Sequence, residues 1–203
     1  MYGSERRSYA VLANEVAAAS RAFLESRLDR SERVAVYLDK RIETVSACFG
    51  APTAGGVFVP INPLLKAEQV AYILRDCNVR ILVTSKERLE LISGSLADCH
   101  DLHTILVVTA EPSLPAIPGK NVARWGALLG ASTKRSPHRR IDSDMTAILY
   151  TSGSTGRPKG VVLSQRNMVT GALSVAQYLE NCPDDRILSA LPLSFDAGFS
   201  QLT

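Results

Sequence analysis

The chain is poor in the residues that mark a specialised environment. Among 203 residues it has four cysteines, Cys48, Cys77, Cys99 and Cys182, widely spaced and with no C-x-x-C pair. That pattern suits reduced thiols in a cytoplasmic protein rather than a disulfide framework. Neither sign of charge dominates: 23 basic residues face 20 acidic ones, for a net charge of +3. This balance argues against a dedicated nucleic-acid or membrane-surface binder. The first ten residues, MYGSERRSYA, are charged and are followed by no apolar stretch of the kind a signal peptide needs. A membrane span is lacking as well. The one uncharged stretch of that length, 44–65, is interrupted by Pro52, Gly55, Gly56, Pro60, Asn62 and Pro63, and it reads as a buried helix followed by a buried strand. There is no internal repeat and no low-complexity block.

What is present is material for a core. Hydrophobic residues make up 46% of the chain and charged residues 21%, which excludes disorder by composition. Helical spacing over 9–27 puts Leu12, Val16, Ala19 and Phe23 on one face. Strand-type apolar runs follow at 33–38, 57–59, 80–84 and 104–109. Helical patterns lie between them at 42–54, 67–77 and 87–96, and the first of these should stop at the Gly55–Gly56 pair. This alternation with short connections predicts an α/β fold, with parallel strands joined by crossover helices. Between 110 and 144 the pattern weakens. Prolines and a basic cluster, 134–140 (KRSPHRR), read as a solvated surface connection with at most one short helix near 124–129. Order resumes with a strand at 145–150, a short strand at 161–163, a helix at 165–180, a strand at 186–191 and a helix beginning near Gly198.

The chemistry concentrates in residues 150–160, YTSGSTGRPKG. Small residues let the backbone N–H groups approach an anion closely. Thr151, Ser152, Ser154 and Thr155 add hydroxyls, and Lys159 adds a mobile positive charge. The set suits a polyphosphate. It is not a Walker A loop, because Lys159 follows Pro158 and precedes Gly160, and no G-x-G-x-x-G fingerprint accompanies it. A run of potential metal ligands, Cys99-His100-Asp101-x-His103, is spaced too tightly for a zinc site and lacks a separated fourth ligand, so it reads as a polar loop and no metal site is expected.

Residues 151–160, TSGSTGRPKG, resemble the signature of the adenylate-forming, AMP-dependent synthetase and ligase superfamily. Residues 54–63 (AGGVFVPINP) and 191–198 (LPLSFDAG) resemble the motifs before and after it, and residues 8–12 (SYAVL) resemble an early family segment with Val11 where Glu is usual. The wording of several segments, among them KRIETV and QVAYILRDC, is most similar to AMP-forming acyl-CoA ligases associated with exosortase A systems and bacterial exopolysaccharide genes. The resemblance implies the N-terminal part of that fold, with a first subdomain over 1–140 and the start of a second over 141–203. Later family elements, including the adenine-binding motif and the small C-terminal domain with its lysine, have no counterpart in these residues, so the chain reads as a fragment with little complete activity of its own.

The resemblance also implies roles. Thr151, Ser152, Gly153, Ser154, Thr155 and Gly156 would hold the pyrophosphate portion of ATP, Thr151 and Lys159 would act on the departing charge, and Mg²⁺ would bridge the phosphates. A carboxylic acid would become an acyl-adenylate and then pass to a thiol, CoA or a carrier protein. Phe195 stands where many acyl-CoA synthetases have His and would line the acyl pocket. Asp196 matches the aspartate that pairs with the substrate amino group in amino-acid-adenylating domains. A carboxylate there is costly in an apolar tunnel, which points to a polar or amino-bearing acid, while the alternative is that Asp196 caps the helix near Gly198. A catalytically incomplete nucleotide-binding remnant is the second reading of the chain as a whole.

Overall fold

The computed structural model describes residues 5–130, 132–151 and 157–203. Helix α1, Tyr9–Glu25, starts where the Ser8 hydroxyl accepts the Val11 N–H. Strand β1, Arg33–Tyr37, follows, then helix α2, Ile42–Ala54. The α2 helix stops at Gly55, whose φ of +96° is the left-handed turn that a residue with a Cβ resists. Strand β2, Val57–Pro60, helix α3, Ala67–Asp76, strand β3, Val79–Ser85, and helix α4, Lys86–Ile92, complete two further crossover units. Strands β4, Thr104–Val108, and β5, Asn121–Arg124, precede the short helix α5, Trp125–Leu129. Strands β6, Met145–Thr151, and β7, Lys159–Ser164, then lead into helices α6, Gln165–Tyr178, and α7, Asp196–Phe199.

The described residues form one sheet in the order β5-β4-β3-β1-β2-β6-β7. Neighbouring strands from β5 to β6 run parallel, and β7 closes the sheet antiparallel to β6. Parallel strands covered on both faces have no wet side, so β1 to β4 are apolar almost throughout. Alternate residues divide between two cores. Ala35, Tyr37, Val57 and Val59 join Val70, Ile73 and Leu74 of α3 and Leu89 of α4. Val34, Val36 and Phe58 join Phe23 of α1 and Ala47 and Ala51 of α2 on the other face.

Four sequence expectations are corrected. The stretch 110–144 contains strand β5, whose four residues pair with β4 although none is fully buried. The strand expected over 186–191 is not one, since those residues join no ladder. The helix expected over 87–96 gives way after Ile92 to a 3₁₀ turn at Ser93–Ser95. The basic cluster is also not merely solvated. Arg135 pairs with Asp29 at 2.8 Å, His138 Nε2 lies 3.1 Å from the Leu28 carbonyl, and Arg140 donates to the Pro52 and Met145 carbonyls at 3.1 and 3.0 Å. Pro52 lies in the last turn of α2 and Leu28 just beyond α1, where exposed carbonyls need donors. The cluster therefore straps 132–140 across the helix ends. Among the described residues no helix is long and apolar enough to cross a membrane.

Candidate functional site

Thr151, Lys159 and Phe195, singled out in the sequence, lie near the carboxyl ends of β2 and β6, the edge where open α/β sheets bind ligands. The β6–β7 pair is a hairpin stem. Tyr150 is opposite Gly160, and Thr151 is opposite Lys159. Cross-strand partners are near neighbours on one face, so the register brings Thr151 and Lys159 together at the mouth of the loop, and both are exposed. Ser152, Gly153, Ser154, Thr155 and Gly156 lie outside the described residues. Gly160 is dictated by its neighbours. A Cβ there would come within 2.8 Å of Ile148 Cγ2 and 3.2 Å of the Tyr150 ring.

Beside the stem is a cavity of about 290 Å³, lined by Pro60, Ile61, Asn62, Leu65, Gln69, Ile73, Tyr150, Thr151, Pro158, Ser194 and Phe195. Its floor, 61–66, is an irregular segment held in three ways. Asn62 Oδ1 accepts the Leu64 N–H at 3.0 Å, the Tyr37 hydroxyl donates to the Leu65 carbonyl at 3.1 Å, and Arg88 donates to the Pro63 carbonyl at 2.5 Å. Arg88 in turn lies 5.1 Å from the centroid of the Tyr37 ring and pairs with Asp39.

The opposite wall comes from the segment after α6. Lys40, just past the carboxyl end of β1, donates to the Ser189 and Leu191 carbonyls at 2.6 and 2.5 Å. Gly198 permits the tight turn that follows, because a Cβ there would sit 1.9 Å from the Pro192 carbonyl oxygen. That turn seats Phe199 against Phe58, with ring centroids 4.7 Å apart. It leaves Phe195 at the cavity, 42% exposed. Ser194 is buried there, and its hydroxyl has no hydrogen-bond partner among the described residues.

The structure thus brings Thr151 and Phe195 to one cavity and sets Lys159 across the stem from Thr151. Asp196 is exposed and is not among the lining residues. The alternative reading, that Asp196 caps the helix, is corrected: α7 begins at Asp196 itself, Phe195 occupies the cap position, and no side-chain cap bond forms. An acidic residue in that first turn is still favoured by the helix dipole.

Sequence reading missed the contribution of α3. Gln69, Ile73 and Asp76 follow one another at helical spacing and turn one face of α3 toward the stem. Gln69 and Ile73 line the cavity, and Asp76 accepts a hydrogen bond from Tyr150. The spacing was visible, but nothing local says which strand that face meets. Burial, reinforced by the Asp76 carboxylate, raises the Tyr150 phenol far above its ordinary range, and burial pushes the neighbouring Cys77 thiol up to about 11. Both stay protonated at neutral pH. Among the described residues no three His, Cys, Asp or Glu side chains gather as a metal site. Cys99 is buried, and the Asp101 carboxylate accepts from Asn78 at 2.9 Å.

Comparison with known proteins bears on the family and the fold. The AMP-binding enzyme family matches residues 1–203. The chain is 32% identical over 190 residues to a sulfoacetate–CoA ligase of Cupriavidus necator, covering 92% of this chain and 35% of that protein. It is 31% identical over 187 residues to a crotonobetaine/carnitine–CoA ligase of Salmonella enteritidis, covering 91% of this chain and 36% of that one. It is also 30% identical over 185 residues to gramicidin S synthase 2 of Brevibacillus brevis, covering 91% of this chain and 4% of that much longer protein. ATP-bound MatB from Rhodopseudomonas palustris superposes with a TM-score of 0.79 at 26% identity, over 98% of this chain and 37% of that one. The chain therefore spans about a third of the CoA ligases it matches, and its mostly parallel sheet with flanking helices is the N-terminal part of the adenylate-forming fold. On these grounds the chain belongs to the AMP-binding enzyme family.

Proposed function

We propose that these residues form the phosphate-holding part of an AMP-forming ligase that activates a carboxylic acid with ATP and passes the acyl group to a thiol, CoA or a carrier protein. One observation carries the reading: the Thr151–Lys159 register at the mouth of a Gly/Ser/Thr loop, next to a cavity at the carboxyl edge of the sheet. Attack of a carboxylate on the α-phosphate forms the acyl–AMP bond and releases pyrophosphate with its charge. Donors and a cation fixed where that charge develops lower the barrier. Thr151 offers a hydroxyl and Lys159 an exposed ammonium there, and Ser152, Gly153, Ser154, Thr155 and Gly156 would supply further N–H and O–H donors. Mg²⁺ arriving on the polyphosphate would add charge neutralisation.

The acid we favour is small and polar or amino-bearing, and an exosortase-associated setting is part of the same proposal. Phe195 would contact its apolar part and the exposed Asp196 its cationic part. Carnitine, part of one relative's name, is a small acid with a fixed cation, and sulfoacetate, in the name of another, is a small dianion that supports only the small and polar part of the reading. Because the chain spans about a third of those relatives, it is expected to bind ATP while forming little acyl-adenylate alone. Titration of the 203-residue chain with ATP tests the reading. Lys159→Ala should weaken binding about tenfold, the scale of one charge-assisted contact to phosphate. A parent chain without ATP affinity would overturn the assignment. Asp196→Ala should erode any preference for amino acids that the parent shows in pyrophosphate exchange, and an unchanged preference would remove the role given to Asp196.

A further inference from the structure

The hairpin stem is tied to the sheet it extends by few backbone pairs. Among the described residues the ladder between β2 and β6 consists of one pair, Phe58 with Ala147. Beyond Ala147, residues 148–151 of β6 have only β7 as ladder partner, and β7 is itself the edge strand. Ile148, Leu149 and Tyr150 are buried in the two cores, so packing holds this part of β6, and what the sparse ladder leaves wanting is a directional hold near the loop.

Asp76 supplies one. Its Oδ2 accepts a 2.6 Å hydrogen bond from the Tyr150 hydroxyl, across 74 residues of sequence, and its Oδ1 accepts from Tyr72 at 3.3 Å. Tyr150 is 8% exposed and immediately precedes Thr151. One side of its ring lies against Gly160, whose missing Cβ makes room for it. A phenylalanine would fill the same space, so packing alone does not explain the hydroxyl. Nor does α3 explain the carboxylate, since an acidic residue in the last turn of a helix opposes the helix dipole. What the pair adds is a short directional bond to a carboxylate oxygen, 2.6 Å long.

We propose that the Asp76–Tyr150 hydrogen bond is a latch that holds the loop stem in its phosphate-binding position, with Asp76 a positioning residue acting through Tyr150. The inference rests on the phosphate-loop reading above. It assigns α3, an element with no residue in the loop motif, a part in ATP affinity. The bond sets where β6 ends, and so where the Thr151 hydroxyl stands relative to the cavity. Without it, the buried stem keeps its packing in the two cores but loses the directional bond that fixes the end of β6, and any shift there must be reversed when ATP binds.

The test compares ATP affinity of the 203-residue chain with those of Tyr150→Phe, Asp76→Asn and the double variant, at a temperature where circular dichroism shows each to be folded. Leu74→Val is the control, a change in the buried side of α3 that costs stability without touching the bond. The expected result is about tenfold weaker ATP binding in each single variant, no further loss in the double variant because both changes remove one bond, and parent affinity in Leu74→Val. If Asp76→Asn does not fold, Tyr150→Phe, which deletes a single oxygen, decides the matter. Parent affinity in Tyr150→Phe, or an equal loss in Leu74→Val, overturns the latch while leaving the phosphate loop standing. A parent chain that binds no ATP overturns both.

Discussion

The stretch from α1 to β4 and the stretch from β7 to α6 contain similar apolar residues and treat them in opposite ways. In the first, β1 and β2 are buried almost completely and α1 and α2 present apolar faces to them. In the second, α6 has no buried residue among those described, and Val169, Leu173 and Val175 lie exposed along it. Strand β7 likewise exposes Val161 and Val162. The same helical and strand spacings operate in both. What differs is the number of neighbours: β1 lies between β2 and β3 with helices on both faces, whereas β7 has one strand beside it. Periodicity states which side of an element is apolar, and burial depends on what is there to meet it.

The sharpest way to break this contrast is to empty the crowded side. Phe23 is 0% exposed, and its ring lies 5.7 Å from that of Trp125 between α1 and α5. Phe23→Ala should cost about 3–5 kcal/mol, the range for removing a buried aromatic whose surroundings cannot collapse. Urea denaturation would measure it. A loss below about 1 kcal/mol would mean that this core is as loosely held as the β7–α6 stretch.

The same contrast explains what was legible in advance. The end of α2 at Gly55 and the brevity of β2 were readable because glycine and proline act locally. Strand β5 was not, because Asn121–Arg124 carries no apolar run and exists through its ladder to β4. The stretch 186–191 failed in the other direction. Ile187, Leu188 and Leu191 are apolar, yet no strand is there to pair with them. At the site, Thr151, Lys159 and Phe195 announced themselves by residue type and motif. Asp76 did not, because its meaning comes from a hydroxyl 74 positions away. Local chemistry can be read from a string, and a partner brought by topology cannot.

Thiols offer a second, smaller test. Cys48, Cys77 and Cys99 are buried in the crowded stretch and Cys182 is exposed in the open one. Burial raises the first three, Cys77 from 9.0 to about 11. Between those two values the unfolded chain has released the Cys77 proton and the folded chain still holds it. The unfolded state therefore binds fewer protons, and stability falls as pH rises. The contribution of Cys77 is present in full below pH 9.0 and is lost as pH climbs toward about 11, at roughly 1.4 kcal/mol per pH unit. Denaturation midpoints between pH 8 and 11 would show it, and Cys77→Ala should make the slope shallower without abolishing it, since burial also raises Cys48, Cys99 and Tyr150.

The smallest effect is the most telling. Leu173 is 67% exposed on α6, beside an apolar groove that also involves Phe49, Phe58, Met168 and Phe199. If the open stretch is as uncovered in solution as the structure shows, Leu173→Ala removes little contact and replaces one good helix former with a better one. The change should then fall within about 0.5 kcal/mol of zero. A loss of 2 kcal/mol or more, in the range of a buried leucine, would show that the side chain meets a surface in solution. The contrast between the two stretches would then be one of visibility rather than of packing. Measured beside Phe23→Ala in the same urea titration, Leu173→Ala decides whether apolar residues after β6 contribute to the stability of this chain or only to its surface.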